Sequence, residues 1–269
     1  MLEIDHLALD FLRYRGLWQR EAVPCLRDVS LSLVRGEVHA VVGASGAGKS
    51  LMAQAIIGLL PGNARLRGEL RLDGAPLDAP RQAALRGKRL ALIPQSLAAL
   101  DPLVRSHRQV TWAAQRAGVS APRAAAERAL TEVGMVGDSA RRYPHQLSGG
   151  MARRVLLAMA TAGEADWLIA DEPSVGLDPA HRDGVLDQLR RLADAGKGVL
   201  LITHDLRHAL SVADRVTVFH AGTTLETAPA DAFQGRGKAL ASGYARALWR
   251  ALPDNDFARP PVHEVAPLA

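Results

Sequence analysis

The sequence predicts an α/β fold: a mainly parallel sheet, an antiparallel β region at the N-terminal end, and an α-helical subdomain inserted between strands. Three observations point to it. Val38-His39-Ala40-Val41-Val42 and Trp167-Leu168-Ile169-Ala170 are near-continuous apolar runs, the pattern of parallel strands buried on both faces. Residues 1–35 instead carry short alternating stretches (Leu2, Ile4, Leu7, Leu9, then Val29, Leu31, Leu33) broken by a charged insert, which reads as antiparallel strands and a hairpin. From about residue 96 to 162 strand signals vanish and Ala/Arg-rich helical sequence takes over.

After the strand 38–42 comes a glycine-rich turn, then a predicted helix from Leu51 to Leu60 stopped by Pro61-Gly62-Asn63. Strands Glu69–Leu72 and Arg89–Ile93 lead to Pro94-Gln95, and the helical stretch follows, with Ala121–Val133 and Met151–Ala160 its clearest members. Asp178-Pro179 is a helix start, Asp at the N-cap and Pro at the first helical position. Val185, Leu186, Leu189 and Leu192 then line one face, and Gly196 ends the helix. Val199–Thr203 and Val216–Phe219 are further strands, and the tail from 254 is polar with several prolines. The expected organisation is a core of residues 1–95 and 163–253, a helical subdomain of 96–162, and a tail of 254–269.

Bulk properties bound the possibilities. The chain has 269 residues, 48% of them hydrophobic, enough for a sizeable core, and 23% charged, as in globular proteins. Aromatics at 4% argue against stacking platforms for single-stranded nucleic acid. The formal charge of +5 fits nucleic acid, an anionic surface or a polyphosphate ligand, and equally a set of solvated helix faces. The single cysteine, Cys25, excludes an internal disulfide and a Cys-rich metal cluster. The first residues have neither a basic region nor a long apolar stretch, and no apolar run approaches 18 residues, so a cytoplasmic chain is expected unless something holds it at a membrane. No internal repeat is visible, so one functional unit is expected.

Gly43-Ala44-Ser45-Gly46-Ala47-Gly48-Lys49-Ser50 fits G-x-x-x-x-G-K-[ST] in full, between a buried strand and a helix, and the binding segment runs on to Leu51. The glycines let backbone N–H groups turn inward on phosphates, and the helix that follows points its positive end at them. Lys49 is expected to reach the β- and γ-phosphates and Ser50 to ligate Mg²⁺. The strand at 167–170 ends in Asp171-Glu172. Asp171 is placed to hold Mg²⁺ through water, and Glu172 to orient or deprotonate the attacking water once the strand breaks into a loop, a break assigned to Pro173. Ser148-Gly149-Gly150 precedes a helix expected from about Ala152, making a second anion site from a hydroxyl, free N–H groups and a helix N-terminus.

In these motifs and their order, the sequence resembles the ATP-binding-cassette ATPases from about Leu2 to Pro229. Ser148-Gly149-Gly150 is similar to the family's signature motif, Asp171-Glu172-Pro173 to its Walker B end, and Gln95 to its Q-loop. Gly176-Leu177-Asp178 resembles the D-loop and His204 the switch histidine. The resemblance implies a head-to-tail dimer with a second such subunit, in which Ser148, Gly149 and Gly150 contact the γ-phosphate of ATP bound by the partner. It implies that Gln95 senses Mg²⁺ and the water, and that His204 keeps the water and Glu172 in register. It implies too that an aromatic from the first strand region stacks on adenine, Phe11 by its position, with Tyr14 second; Trp18 and Trp167 are read as packing residues. Met151 stands where most of the family has Gln, and Arg153 and Arg154 keep the basic start of the helix. Arg142-Tyr143-Pro144-His145-Gln146-Leu147-Ser148-Gly149-Gly150-Met151, with Gly58-Leu59-Leu60-Pro61, resembles the dipeptide, oligopeptide and nickel importer branch.

That branch implies a motor at the cytoplasmic face of the inner membrane, docked to integral membrane permease subunits and served indirectly by a substrate-binding protein, with no nucleic-acid partner. Residues 96–110 are the expected docking surface, or a helix packed inside the subdomain. The other readings are a cassette ATPase of a soluble enzyme complex, of the carbon–phosphorus lyase kind, or one that processes nucleic acid. The nucleic-acid members usually carry coiled coils, zinc inserts or a second cassette, which this sequence lacks.

Overall fold

The computed structural model describes residues 1–15, 19–252 and Asn255. Trp18 and the tail, Asn255 apart, lie outside them. Strands β1 (Leu2–Arg15) and β2 (Gln19–Leu33) form the expected hairpin, and β4 (Ala64–Leu72) and the short β5 (Ala75–Pro76) extend it as an antiparallel sheet. The parallel layer consists of β3 (Val38–Val42), β6 (Leu90–Ile93), β7 (Trp167–Asp171), β8 (Gly198–Thr203) and β9 (Arg215–His220). Strand β10 (Thr223–Pro229) closes its edge antiparallel to β9 and touches β2 at Thr223–Asp28, joining both sheets in the order β5-β4-β1-β2-β10-β9-β3-β8-β7-β6.

Helices fill both sides of the parallel layer. Helix α1 (Lys49–Ile57) follows β3, and α2 (Ala79–Leu85) precedes β6. Between β6 and β7 stand α3 (Ser106–Ala117), α4 (Pro122–Glu132), α5 (Asp138–Arg141) and α6 (Gly149–Thr161), with no strand among the described residues there. Helix α7 (Pro179–Asp194) links β7 to β8, α8 (Leu206–Leu210) follows β8, and α9 (Gly243–Arg250) comes after β10.

Strand alternation divides the core in two. Val41, Ile169, Leu200, Ile202 and Phe219 pack with α1 and the antiparallel sheet. Val42, Ala170, Val199, Leu201 and Val218 face the other way, in a core continuous with the apolar sides of α3, α4 and α6. Trp167 is fully buried, as expected of a packing residue.

Several sequence-based boundaries need correction. The helix expected at 51–60 begins at Lys49 and ends at Ile57, because Gly58 adopts a left-handed conformation that caps it. The strand expected at 69–72 starts at Ala64: its outer half is charged and exposed, and is held by pairing with β1 from Phe11–Ala64 to Leu2–Leu72. The stretch 96–103 is no helix but one 3₁₀ turn at Leu97–Ala99, capped by Ser96 and stopped before Pro102. Helix α6 begins at Gly149 rather than near Ala152, since Ser148 is its N-cap. Asp178 and Pro179 start α7 as expected, and Gly196 at φ +88° follows its C-cap Ala195.

Candidate nucleotide site

Strand register brings the site together. Val42 lies opposite Thr203, and Asp171 opposite Ile202, so the residues leaving β3, β7 and β8 stand at one edge of the sheet. Ligands of open α/β sheets bind at this C-terminal edge.

The loop from Gly43 to Gly48 turns tightly between β3 and α1. A Cβ on Gly43 would lie 2.0 Å from the Phe219 carbonyl oxygen, so only glycine lets the loop pass β9. Gly48, the N-cap of α1, sits at φ +107° against Leu26 and Cys25, a conformation open to glycine alone at no steric cost. The Ala47 carbonyl accepts from the Gly222 N–H, which pins the loop to the β9–β10 turn. Ala44, Ser45 and Gly46 are exposed at its crest, and Leu51 packs inward with Ala47. Lys49 is buried and folds back, Nζ donating to the carbonyls of Gly43 (2.7 Å) and Ala44 (3.0 Å). Burial lowers its pKa, opposed by the negative charges of Glu172 and Asp171.

Ser50 Oγ donates to Asp171 Oδ1 at 3.0 Å, uniting the two residues expected around Mg²⁺. Burial raises the Asp171 pKa, the Ser50 hydrogen bond opposes it, and the Glu172 charge raises it further. A hydroxyl and a carboxylate, both hard oxygen donors, beside a glycine loop at a helix N-terminus suit Mg²⁺ and phosphate together.

Glu172 shows how neighbouring strand residues serve one site. Its backbone is left-handed, φ +50°, so the strand breaks at Glu172 itself and not at Pro173, and its side chain turns toward β8. Such a conformation costs a non-glycine residue on the order of 1–3 kcal/mol and persists only when surroundings hold it. Its N–H donates to the Ile202 carbonyl; Thr203 Oγ1 donates to Oε2 (3.3 Å) and His204 Nδ1 to Oε1 (2.9 Å). Glu172 is 6% exposed and His204 half-exposed, so the histidine covers the carboxylate from the solvent side.

Other expected residues stand apart. Gln95 is exposed after β6, and no hydrogen bond among the described residues joins its amide to Ser50 or Asp171. Ser148 accepts from the Met151 N–H; Gly149 faces open space and Gly150 lies beside Leu177. These contacts are within α6 and the loop before α7, not with residues 43–51. Phe11 is half-buried at the edge of the α1 core opposite Val23, two residues from the Cys25 carbonyl that flanks Gly48, whereas Tyr14 is 65% exposed.

Two residues escaped the sequence reading. In sequence Thr203 is only a strand end, yet its hydroxyl donates to Glu172 and accepts from the Asp205 N–H; a hydroxyl just before the candidate switch histidine is the signal. In sequence Arg153 is part of a basic helix start, yet it reaches the carbonyls of Gln95 and Glu172.

Comparisons with known proteins agree with this geometry. A family model described as ABC transporter matches residues 26–175, more than half of the chain. The oligopeptide transport ATP-binding protein OppD of Mycobacterium tuberculosis is 39% identical over 242 residues, 85% of this chain and 38% of that protein. The nickel import ATP-binding protein NikD of Pseudomonas putida is 39% identical over 240 residues, 86% of this chain and 92% of that one. The chain thus spans well under half of the OppD relative and nearly all of NikD. Among solved structures, a dimeric ATP-binding cassette in a post-hydrolysis state bound to ADP and Pi superposes with a TM-score of 0.75. It is 25% identical, over 87% of this chain and 100% of that one.

Proposed function

Because the chain belongs to the ABC transporter family, as its ATP-binding cassette, we propose that it hydrolyses ATP to drive import of short peptides or of nickel, free or chelated. The observation that carries the chemistry is the turn at Glu172: it sets a carboxylate held by Thr203 and His204 beside the Ser50–Asp171 pair and Lys49. The names of the OppD and NikD relatives support the cargo, and that of NikD supports the direction.

In this reading Gly43 to Ser50 bind the triphosphate through inward N–H groups and the start of α1, and Lys49 exchanges its loop carbonyls for phosphate oxygens. Ser50 and Asp171 would hold Mg²⁺, and Gln95 would join them. When bound, Mg²⁺ neutralises charge on the β- and γ-phosphates. Glu172 orients the attacking water in line with the γ-phosphate and receives its proton; His204 keeps that carboxylate aimed. Phe11 stacks on adenine.

Ser148 and Gly149 are exposed and Gly150 half-buried at the start of α6, with no contact to their own P-loop among those described above, so they act on ATP held by a partner cassette. The dimeric neighbour supports that pairing. Residues 96–162 form the helical subdomain through which the cassette meets a membrane permease. A groove of about 300 Å³ between this layer and the sheet, lined by Leu59, Leu92, Pro94, Ala99 and Met159 among others, offers the contact surface. Of the stretch 96–110, Ala99 lines it. No helix among the described residues is long and apolar enough to cross a membrane, and the proposed place is peripheral, at the cytoplasmic face, with a substrate-binding protein serving the permease.

The test is Mg²⁺-dependent ATP hydrolysis against protein concentration, with Glu172→Gln alongside. A rate per subunit that rises with concentration, and falls by about a hundredfold or more in Glu172→Gln while ATP still binds, is the expected result. A rate independent of concentration, or one that survives the substitution, overturns the paired mechanism.

A further inference from the structure

Two consecutive arginines follow the first turn of α6, and the structure gives them different work. Arg154 Nη1 donates to the Val133 carbonyl at the end of α4, inside the helical layer. Arg153 reaches out of that layer. Its Nη1 donates to the Gln95 carbonyl and to the Glu172 carbonyl, each at 3.2 Å. The two oxygens leave the ends of β6 and β7, which pair in parallel, so one guanidinium on α6 spans both strand exits.

The position is costly for a cation. Arg153 is half-buried, and burial works against its charge while the Glu172 carboxylate favours it. A charged group held in such a place needs hydrogen-bonded partners, and backbone carbonyls supply them. One partner belongs to the residue whose left-handed turn aims the candidate base, and the other to the residue expected to sense metal and water. We propose that Arg153 is a positioning residue. It holds the Glu172 turn in its productive form and makes that hold depend on where α6 and the Gln95 loop stand. A shift of the helical layer against the sheet then loosens both bonds together, which links permease contact to readiness for hydrolysis. This rests on the ATPase reading above.

The experiment uses the full chain with Arg153→Met, Arg153→Lys and Arg153→Gln, measuring hydrolysis against ATP concentration and binding of a fluorescent ATP analogue. Arg153→Met is expected to lower kcat at least ~10-fold while KM and the analogue Kd stay within about twofold. Arg153→Lys, which keeps the cation and its donors, and Arg153→Gln, which keeps one amide donor, are expected to recover part of the rate. Combined with Glu172→Gln, Arg153→Met is expected to cost nothing more, because the two act through one carboxylate. Hydrogen exchange supplies a readout independent of turnover: the amides of 95–100 and 174–177 should exchange faster together in Arg153→Met.

A kcat within about twofold of the parent overturns the proposal, as does a parallel loss of kcat and ATP affinity. Unchanged exchange at both segments overturns it as well. If Glu172→Gln retains hydrolysis, the ATPase mechanism fails on its own, and the exchange result still decides whether Arg153 holds the turn.

Discussion

His39 sits in the middle of a motif-free strand, fully buried, with both ring nitrogens engaged. Nδ1–H donates to the Ser32 carbonyl at 2.9 Å, and Nε2 accepts from Thr217 Oγ1 at 2.7 Å, which in turn accepts from Thr227. That arrangement uses the neutral ring; a second ring proton would face a hydroxyl already donating. Burial, and then the Arg215 charge, push the pKa down to about 4 from 6.5. Glu37 and Arg215 pair beside it and complete the charged surroundings. The unfolded chain takes up this proton near 6.5 and the folded chain near 4, so the unfolded state binds more protons in between. Stability is full above pH 6.5 and falls by about 3 kcal/mol as pH drops through that window to 4. Denaturant melts of the parent and His39→Gln from pH 7.5 to 4 check this: the parent curve should fall steeply and the variant curve should lack that part. Parallel curves would contradict it.

Helix α6 does two jobs from one residue, and its cap separates them. Ser148 Oγ accepts from the Met151 N–H, satisfying an orphan donor of the first turn. In the paired mechanism the same hydroxyl, exposed, meets a phosphate on the partner cassette. Ser148→Ala is therefore expected to lose about 1 kcal/mol of stability together with hydrolysis, whereas Ser148→Asn, also a good cap, should keep the stability and still lose the hydrolysis. Thermal melts paired with ATPase assays read both; a Ser148→Asn protein that hydrolyses ATP normally would remove the trans role. Elements like this were readable in the sequence where chemistry is local: the glycine-rich turn, the Asp178-Pro179 start of α7 and the apolar run of β3 each carry their signal within a few residues. The first half of β4 was not, because its arginines give no β pattern and only pairing with β1 makes it a strand. Helix α9 also passed unread, its start set by the Ser242 cap and by Glu226 accepting from the N–H groups of Ala241 and Ser242, a contact across 15 residues. At the site the residue identities were legible, but the left-handed turn of Glu172, and hence the roles of Thr203 and Arg153, arises from contacts among three elements that no local spacing records.

Among the described residues the two sheets share a strand–strand bridge where β10 touches β2, yet they must stay in register for the antiparallel hairpin to flank the P-loop. The α1 core supplies most of that union, and an ion network secures its far end. Asp73, in the turn after β4, accepts from the N-terminal amine and from Arg89; Arg89 and Arg35 both pair with Asp166, just before β7. The chain of charges runs from the antiparallel sheet to the base of the parallel one, roughly 16 Å down the strand from Asp171. The hydrogen bond from Arg35, with Arg89 assisting against partial desolvation, lowers the Asp166 pKa from 3.8 to about 2. A depressed carboxylate contributes stability above pH 3.8 that is lost as pH falls toward 2, so acid weakens the molecule in two stages, His39 first and this network second. Because the network is partly exposed, solvent screening leaves it about 1 kcal/mol, and salt reduces it further. Asp166→Asn should thus cost about 1 kcal/mol at neutral pH and low salt, less at 1 M salt, and flatten the stability curve between pH 4 and 2. ATP affinity should not change, since the substitution lies at the opposite end of β7 from Ser50 and Asp171. Melts across pH and salt, with nucleotide binding measured alongside, decide it. A loss of ATP binding in Asp166→Asn would mean that the register of the two sheets, not only their cohesion, depends on this one carboxylate.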